Sequence, residues 1–470
     1  MIQQPTSAGE ESSSLRDAHV EPSATPASDP HVGFRSVLAN GAFSRLWTAQ
    51  ILSQVAQNTV FASMLAQIQL VTRSSTNVVF VIVCGLLPQV LLSSFAGILV
   101  DRASKRTVLM ASNLLRMLCV FGYLSFQTTP WVLFTMVFLS QAIGQFFAPA
   151  EAAAIPILVR REGLMAATSL FNLSFNVAQV VPFGLGLLLL SFIGLSTLLL
   201  IVIALFALAA ILVATLPNRT AVRPPRRSTT SLADEVRRVG HDFGEGVRFI
   251  VHDGALRLAL FQINITPTVM FLFGVLGAGY VQRVIHLRPD NLYVLLVPAG
   301  LGLLIGTWGL GQFGGRIRKE KLIHWGIFAL GAAVIAMGVL PPIIRAFHDT
   351  THLIPVRPYQ ALTYPAMAIA VVVGLAMALT TVPTQTIVFE RAAPEMRGRV
   401  LAMQQWLGGA VPLLPLLVVG PLVDAIGVAS VLVGIGVVIL LAGWYSVRVD
   451  LRRRLSLANQ LMAQPLHVTS

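Results

Sequence analysis

Charged residues are scarce in this sequence, and cysteine is almost absent. Asp, Glu, Lys and Arg make up 11% of its 470 residues, and the mean hydropathy is +0.76. That charged share is about half that of an average soluble domain. The composition excludes a soluble globular domain and is typical of a polytopic membrane protein. Cys84 and Cys119 both lie in apolar runs, so a disulfide framework is also excluded.

Motifs for ATP-driven or catalytic chemistry are missing. The sequence contains no Gly-x-x-x-x-Gly-Lys-Ser/Thr phosphate-binding loop, which argues against an ATP-driven pump. It shows no Ser/His/Asp or Cys/His arrangement, so we predict no enzyme and no cofactor. His348 and His352, with Asp349 between them, lack a third fixed ligand, and we predict no metal site.

Long apolar runs dominate the chain. About twelve recur, each roughly 18–25 residues long, which is enough to cross a bilayer about 30 Å thick. Pro149 and Pro156 interrupt the pattern between the fourth and fifth runs. The predicted fold class is an all-α polytopic membrane protein. The predicted spans are 46–71, 77–100, 107–127, 131–152, 164–190, 195–215, 256–282, 291–313, 322–345, 363–390, 398–420 and 425–447.

The loops between these runs carry basic residues asymmetrically. The odd-numbered loops hold five, Arg73, Arg283, Arg288, Arg345 and Arg357, and Arg116 lies in the third span. The other 27 of the 33 lysines and arginines lie in the terminal segments and even-numbered loops, which predicts that these are cytoplasmic. The net charge of +13 is thus a topological signal that favours contact with anionic membrane lipids, and we predict no nucleic-acid binding.

Composition also divides the chain into segments. The N-terminal segment is rich in Ser, Pro and acids, which predicts disorder, and no secretory signal is expected. Apolar residues recur every three or four positions after Ser231, which predicts an amphipathic helix in the central linker. The predicted segments are a disordered cytoplasmic tail at 1–42, a six-helix bundle at 43–215, a cytoplasmic linker at 216–255, a second six-helix bundle at 256–448 and a basic cytoplasmic tail at 449–470.

A charged stretch follows the second predicted span and reads Gly97-Ile-Leu-Val-Asp101-Arg102-Ala-Ser-Lys105-Arg106. It resembles the loop between the second and third helices of major facilitator superfamily transporters, with Ser104 where the family usually has a second glycine. The alternative is an ordinary positive-inside loop. The resemblance implies two six-helix bundles that rock about a central cavity, joined on the cytoplasmic side by the acid. We therefore predict gating roles for Gly97, which permits close helix contact, and for Asp101, Arg102, Lys105 and Arg106.

Four further stretches resemble macrolide-efflux-type and enterobactin-exporter-type members of that superfamily. They begin at Leu46, Phe146, Glu390 and Gly420. The two halves of the chain also echo each other, because Pro182 and Gly194 recur at the same offset as Pro415 and Gly427. Such an echo is typical of the parallel repeats of this superfamily.

Polar side chains inside the predicted spans are candidates to line the cavity. Gln50, Gln54 and Asn58 recur every four residues and share one helix face. The alternative is that these amides only bond helix to helix. The full set of cavity candidates is Gln50, Gln54, Asn58, Asn172, Asn176, Gln179, Gln262, Thr384, Gln404 and Gln405.

Glu151 and Glu390 lie near the predicted cytoplasmic ends of the fourth and tenth spans. Burial favours the neutral form of a carboxyl group, which suits proton exchange. The favoured alternative is that both acids pair with arginines and lock the cytoplasmic gate. The partners considered are Arg116, Arg160, Arg161, Arg391 and Arg399. We predict that Glu390, Arg397 and Arg399 belong to the gate, and that Glu151 is the better proton-coupling candidate because apolar residues follow it.

The sequence thus predicts a monomeric secondary transporter of the bacterial cytoplasmic membrane. It would export amphipathic small molecules, as in drug or secondary-metabolite efflux, in exchange for protons. Open alternatives are a dedicated siderophore or metabolite exporter, uptake of a nutrient or phospholipid, and a non-transporting membrane sensor or scaffold. An intramembrane protease is the weakest, for want of catalytic residues.

Overall fold

The structure is a computed structural model that describes residues 34–160, 163–217, 248, 254–313, 317–351, 358–391 and 397–462. The amphipathic helix predicted after Ser231, most of the predicted N-terminal tail and residues 463–470 of the predicted C-terminal tail lie outside these residues. The described chain is almost entirely α-helical and contains no strand. The predicted all-α fold class is therefore confirmed.

Within the described residues, a short helix α1 precedes twelve helices of 20 or more residues. A 3-10 turn, Pro289–Leu292, leads into α9. The helices are α1 Phe34–Leu38, α2 Gly41–Thr72, α3 Ser75–Arg102, α4 Lys105–Ser125, α5 Pro130–Leu158, α6 Leu164–Ile193, α7 Leu195–Ala214, α8 Gly254–Arg283, α9 Tyr293–Phe313, α10 Lys319–Thr351, α11 Pro358–Arg391, α12 Arg397–Ile426 and α13 Val428–Met462.

Ten of these helices are long and apolar enough to cross a membrane by length and composition. The twelve long helices form two halves, α2–α7 and α8–α13, with the same packing scheme. In the first half α5 packs on α3 and α4, and α4 packs on α7. In the second half α11 packs on α9 and α10, and α10 packs on α13, so each pair recurs six helices later. This repetition is the parallel-repeat architecture expected from the sequence.

The turns between the last two helices of each half are also equivalent. Gly194 between α6 and α7 has φ +78°, and Gly427 between α12 and α13 has φ +85°. Backbone in this left-handed region strains residues that carry a Cβ, which explains why glycine recurs at both positions. The echo predicted from sequence for these two glycines is therefore a structural equivalence.

Several element boundaries differ from the predicted spans. Helix α5 continues through Pro149 and Pro156 to Leu158, since neighbouring membrane helices can satisfy the backbone groups that proline frees. Helix α12 runs to Ile426, so α13, which corresponds to the twelfth predicted span, begins at Val428 rather than at residue 425. Ordered helix also begins before the predicted boundary at residue 43. The Asn40 side-chain oxygen caps α2 by accepting from the Ala42 N–H at 3.1 Å.

The apolar core is shared between the halves at one end of the bundle only. One cluster contains residues of both halves, including Phe61, Val79, Leu187, Phe273, Leu295 and Val419. At the other end there are two separate clusters in the described chain. One belongs to the first half and includes Phe43, Leu109 and Val213, and the other belongs to the second half and includes Leu260, Val388 and Met403. We call the shared end, where α2, α8 and α12 finish, the closed end. The opposite end, where α2 begins, is the split end.

Candidate functional site

A cavity of about 90 Å³ lies between the two halves, next to the closed end. Helices α2, α3 and α6 of the first half and α8, α9 and α11 of the second half surround it. Every described residue that lines it is apolar or glycine. They are Phe61, Ala62, Leu65, Ile82, Leu187, Met270, Phe271, Phe273, Gly274, Leu292, Leu296, Ala299, Gly300, Leu303, Val373 and Met377. Such a lining fits an apolar group and offers no counter-charge.

Two glutamines join the halves just beyond this cavity. Gln69 lies one helical turn after the lining residue Leu65 and is fully buried. Its Nε2 donates to Oε1 of Gln282 in the other half at 2.6 Å. This bond joins the two halves between the cavity and the closed end of the bundle.

Three of the predicted cavity residues bond within their own half. Asn58 Nδ2 donates to the carbonyl of Ala178 at 2.7 Å and ties α2 to α6. Gln262 Nε2 donates to Ser446 Oγ at 2.6 Å and ties α8 to α13. Thr384 Oγ1 donates to the Thr380 carbonyl oxygen, one turn earlier in the same helix, at 2.6 Å. These contacts are the helix-to-helix and local bonds that the sequence left open as an alternative.

Other predicted cavity residues keep polar capacity. Gln50 is 2% exposed, and in the described chain neither its Oε1 nor that of Gln404 has a hydrogen-bond partner. Gln54 is half-buried, and Gln405 is exposed. The side chains of Asn172, Asn176 and Gln179 lie outside the described ones. Among those described, none of the predicted cavity residues lines the apolar cavity.

A second group of polar side chains is buried inside the first half, where α2 meets α4 and α5. Ser53 Oγ donates to Asn113 Oδ1 at 2.7 Å, and Ser140 Oγ donates to Gln57 Oε1 at 2.9 Å. All four side chains are buried. These bonds satisfy neutral polar groups where α2 crosses its neighbours, as buried polar groups require.

Arg116 and Glu151 extend this polar group with two buried charges. Arg116 is 4% exposed and Glu151 is 6% exposed. The guanidinium lies 5.0 Å from the ring centroid of Phe147, and its charge acts on the Glu151 carboxyl group. Gly144 makes room for the Arg116 guanidinium, because a Cβ at position 144 would lie 2.7 Å from Arg116 Nη2. Arg116 therefore acts on Glu151 electrostatically, but the two form no direct ion pair, and in the described chain Glu151 Oε1 has no hydrogen-bond partner.

The basic residues of the predicted gating stretch bind helix ends within the first half. Lys105 Nζ donates to the Val100 carbonyl at 2.6 Å, and the Arg106 guanidinium donates to the Ala214 carbonyl at the end of α7. Both cations therefore satisfy carbonyls at helix C-termini, where positive charge is favoured. The side chains of Asp101 and Arg102 lie outside the described ones.

The close helix contact predicted at Gly97 is absent in this conformation, since a Cβ there would meet no atom within 4 Å. The reason is that Gly97 lies towards the split end. Glu390 is exposed and pairs with Lys319 of the same half rather than across the halves. The side chains of Arg397 and Arg399 are outside the described ones, as are those of His348 and His352.

The sequence did not predict one ion pair, which lies at the closed end and joins two helices of the second half. Asp424 at the end of α12 forms an ion pair with Arg283 at the end of α8, with 2.7 Å between Oδ1 and Nη2. The available signal was Gly420 followed one turn later by an acid at the end of an apolar run. That pattern matches the earlier pair Gly97 and Asp101 at the other end of the membrane helices.

Comparison with known proteins agrees with this architecture. The family model of the Major Facilitator Superfamily matches residues 46–414. The chain is 25% identical over 385 residues to the multidrug efflux pump Tap of Mycobacterium tuberculosis, covering 80% of this chain and 85% of that protein. It is 22% identical over 313 residues to macrolide efflux protein A of Streptococcus pyogenes, covering 64% and 73%. The predicted resemblance to macrolide-efflux-type proteins is therefore confirmed.

Solved transporter structures share the fold. The crystal structure of the nucleoside transporter NupG has a TM-score of 0.62 at 12% identity, covering 87% of this chain and 99% of that one. A POT family transporter in complex with 5-aminolevulinic acid has a TM-score of 0.66 at 11% identity, covering 89% and 98%. At these identities the likeness concerns the arrangement of helices.

Proposed function

Because this chain belongs to the major facilitator superfamily, and is a membrane transporter rather than an enzyme, we propose that it exports amphipathic small molecules from the bacterial cytoplasm. We further propose that export proceeds by alternating access in exchange for protons. The chain acts as a monomer in this proposal, with its split end towards the cytoplasm. The relatives named as a multidrug efflux pump and a macrolide efflux protein support the export direction.

The observation that carries the proposal is the apolar cavity between halves that are joined at one end and separate at the other. A substrate entering from the split end would reach a cavity lined by apolar residues of both halves. Burial there stabilises an apolar group by about 25 cal/mol per Å² removed from water. A polar group of the same molecule would remain towards the split end, where the Oε1 atoms of Gln50 and Gln404 have no hydrogen-bond partner among the described residues.

Accumulation of a compound panel in cells with and without the protein tests the proposed export. We expect amphipathic dyes and macrolides to accumulate less in cells that contain it. The Asp101→Asn variant is expected to insert normally but to restore accumulation, because the acid that joins the bundles in this superfamily loses its charge. Equal accumulation with and without the protein would contradict export of such compounds. A change confined to siderophores would favour the dedicated metabolite exporter.

Reporter fusions test the proposed orientation. Reporters after Ser470 and within 220–230 should read cytoplasmic, and one within 348–356 should read external, because basic residues are concentrated in the even-numbered loops. The measurement is the activity of a reporter pair that works on opposite sides of the membrane. An external C-terminus would contradict this topology.

A further inference from the structure

The carboxylate of Asp424 lies on the N-terminus of a helix in the other half. Its Oδ1 accepts from the Ser75 N–H at 2.9 Å, and its Oδ2 accepts from the Thr76 N–H at 3.0 Å. The hydroxyl groups of Ser74 and Thr76 each donate to Oδ2 at 2.8 Å. Four hydrogen bonds thus run from the start of α3 to one side chain at the end of α12.

This carboxylate replaces the cap that α3 lacks within its own half. The first N–H groups of a helix have no intrahelical acceptors, and the N-terminus carries partial positive charge. Ser74 occupies the N-cap position of α3, but its side chain makes no cap bond and donates to Asp424 instead. The start of α3 is therefore capped only while the halves are in contact there.

Arg283 strengthens the same junction from the end of α8. Its Nη2 contacts Asp424 Oδ1 at 2.7 Å and also donates to the carbonyl of Arg73 in the first half at 2.8 Å. Its Nη1 donates to the Val423 carbonyl at 3.4 Å. One guanidinium thus bonds to both halves and to the carboxylate that caps α3.

Gly420 sets the close approach of α12 to α3. A Cβ at this position would lie 2.8 Å from Val79 Cγ2 and 3.0 Å from the Thr76 Cα. Any larger residue would push the two helices apart one turn before Asp424. The glycine is therefore needed for the carboxylate to reach the Ser75 and Thr76 N–H groups.

We propose that Asp424, the N-terminus of α3 and Arg283 form an outer latch that must open for the cavity to release its substrate outside. The latch lies beyond the Gln69–Gln282 bond and joins the halves at the closed end. The side chains of Arg283 and Asp424 are 31% and 27% exposed, so water can replace their bonds when the halves part. The name outer rests on the orientation proposed above, whereas the latch itself rests on these contacts.

Thiol labelling at the cavity tests the outer latch. The probe is Leu65→Cys, a cavity-lining position, in a chain whose Cys84 and Cys119 are replaced by alanine. A membrane-impermeant maleimide is added to intact cells. We expect labelling to be about tenfold faster or more when Asp424→Asn is added, because the charge that caps α3 and binds Arg283 is lost. Gly420→Val should accelerate labelling through steric separation alone, with every charge kept.

Glu320→Gln is the matched control, because Glu320 pairs with Arg318 within the second half at 3.8 Å. Its labelling rate should equal that of the parent. Unchanged labelling in both Asp424→Asn and Gly420→Val would overturn the latch. Faster labelling in inside-out vesicles but not in cells would overturn its placement on the outside. Faster labelling in cells without any effect of the protein on compound accumulation would support the latch and contradict the proposed export.

Discussion

Replacing Glu151 by glutamine is expected to abolish transport driven by a pH gradient, while exchange of substrate for substrate continues. A proton-coupled cycle needs a group that binds and releases a proton, and glutamine cannot. Glu151 is buried beside Arg116, whereas Glu390 is exposed and paired with Lys319. The measurement is uptake into everted vesicles under an imposed pH gradient, with exchange measured in its absence.

Glu390→Gln is the comparison variant, and it should alter the rate while uptake still follows the gradient. Glu151→Gln also removes the carboxyl group whose charge acts on the buried Arg116, so we expect this single variant to be less stable than the parent. The double variant Glu151→Gln with Arg116→Gln removes both buried charges. We therefore expect it to fold well enough for its transport to be measured. It should exchange substrate but not respond to the gradient. Full gradient-driven uptake by either variant would exclude Glu151 as the proton carrier.

Replacing Gly374 by leucine is expected to prevent the second half from folding. Helices α9 and α11 approach so closely that a Cβ at Gly374 would lie 1.8 Å from the Ala299 carbonyl oxygen. A Cβ at Gly302 would likewise lie 2.1 Å from the Val371 carbonyl oxygen. Backbone atoms cannot move aside as a flexible side chain can, so we expect a loss of about 3 kcal/mol or more. The measurement is the yield and melting temperature of detergent-solubilised protein.

Gly309→Leu is the control, on helix α9, which is the partner of α11 in this close crossing. A Cβ at Gly309 would meet no atom within 4 Å, so this variant should be recovered at near-parent yield. It carries the same increase in side-chain volume in the neighbouring helix of the same half. Equal losses for both variants would show that glycine replacement in general, rather than the close crossing of α9 and α11, destabilises the protein.

The outer latch, the cavity and the separate cores together give the closed and split ends distinct chemistry. At the closed end the halves share an apolar core, and polar contacts are added to it, partly exposed at Asp424 and buried at Gln69. At the split end each half keeps an apolar core of its own. Separation at the closed end therefore breaks these hydrogen bonds, whose groups can then bond to water, and also parts the apolar core that the halves share there.

Much of the fold follows from the sequence alone. Apolar runs of membrane-spanning length must form helices, because every backbone N–H and C=O group in lipid has to be bonded within its own segment. Run length therefore predicted the twelve long helices. The positions of Gly194 and Gly427 predicted the repeat. Proline marked the boundaries less well, since α5 runs through Pro149 and Pro156.

The tertiary structure alone decided which polar groups meet. Asp424 caps a helix whose first residues are 348–350 positions away in the chain. Helix periodicity places a side chain on a face but does not say which distant helix covers that face. Gly97 and Gly420 both precede an acid by one turn, yet only Gly420 is in close helix contact. The difference arises because the halves are joined at one end and apart at the other, which is a property of packing between distant segments rather than of any local run of residues.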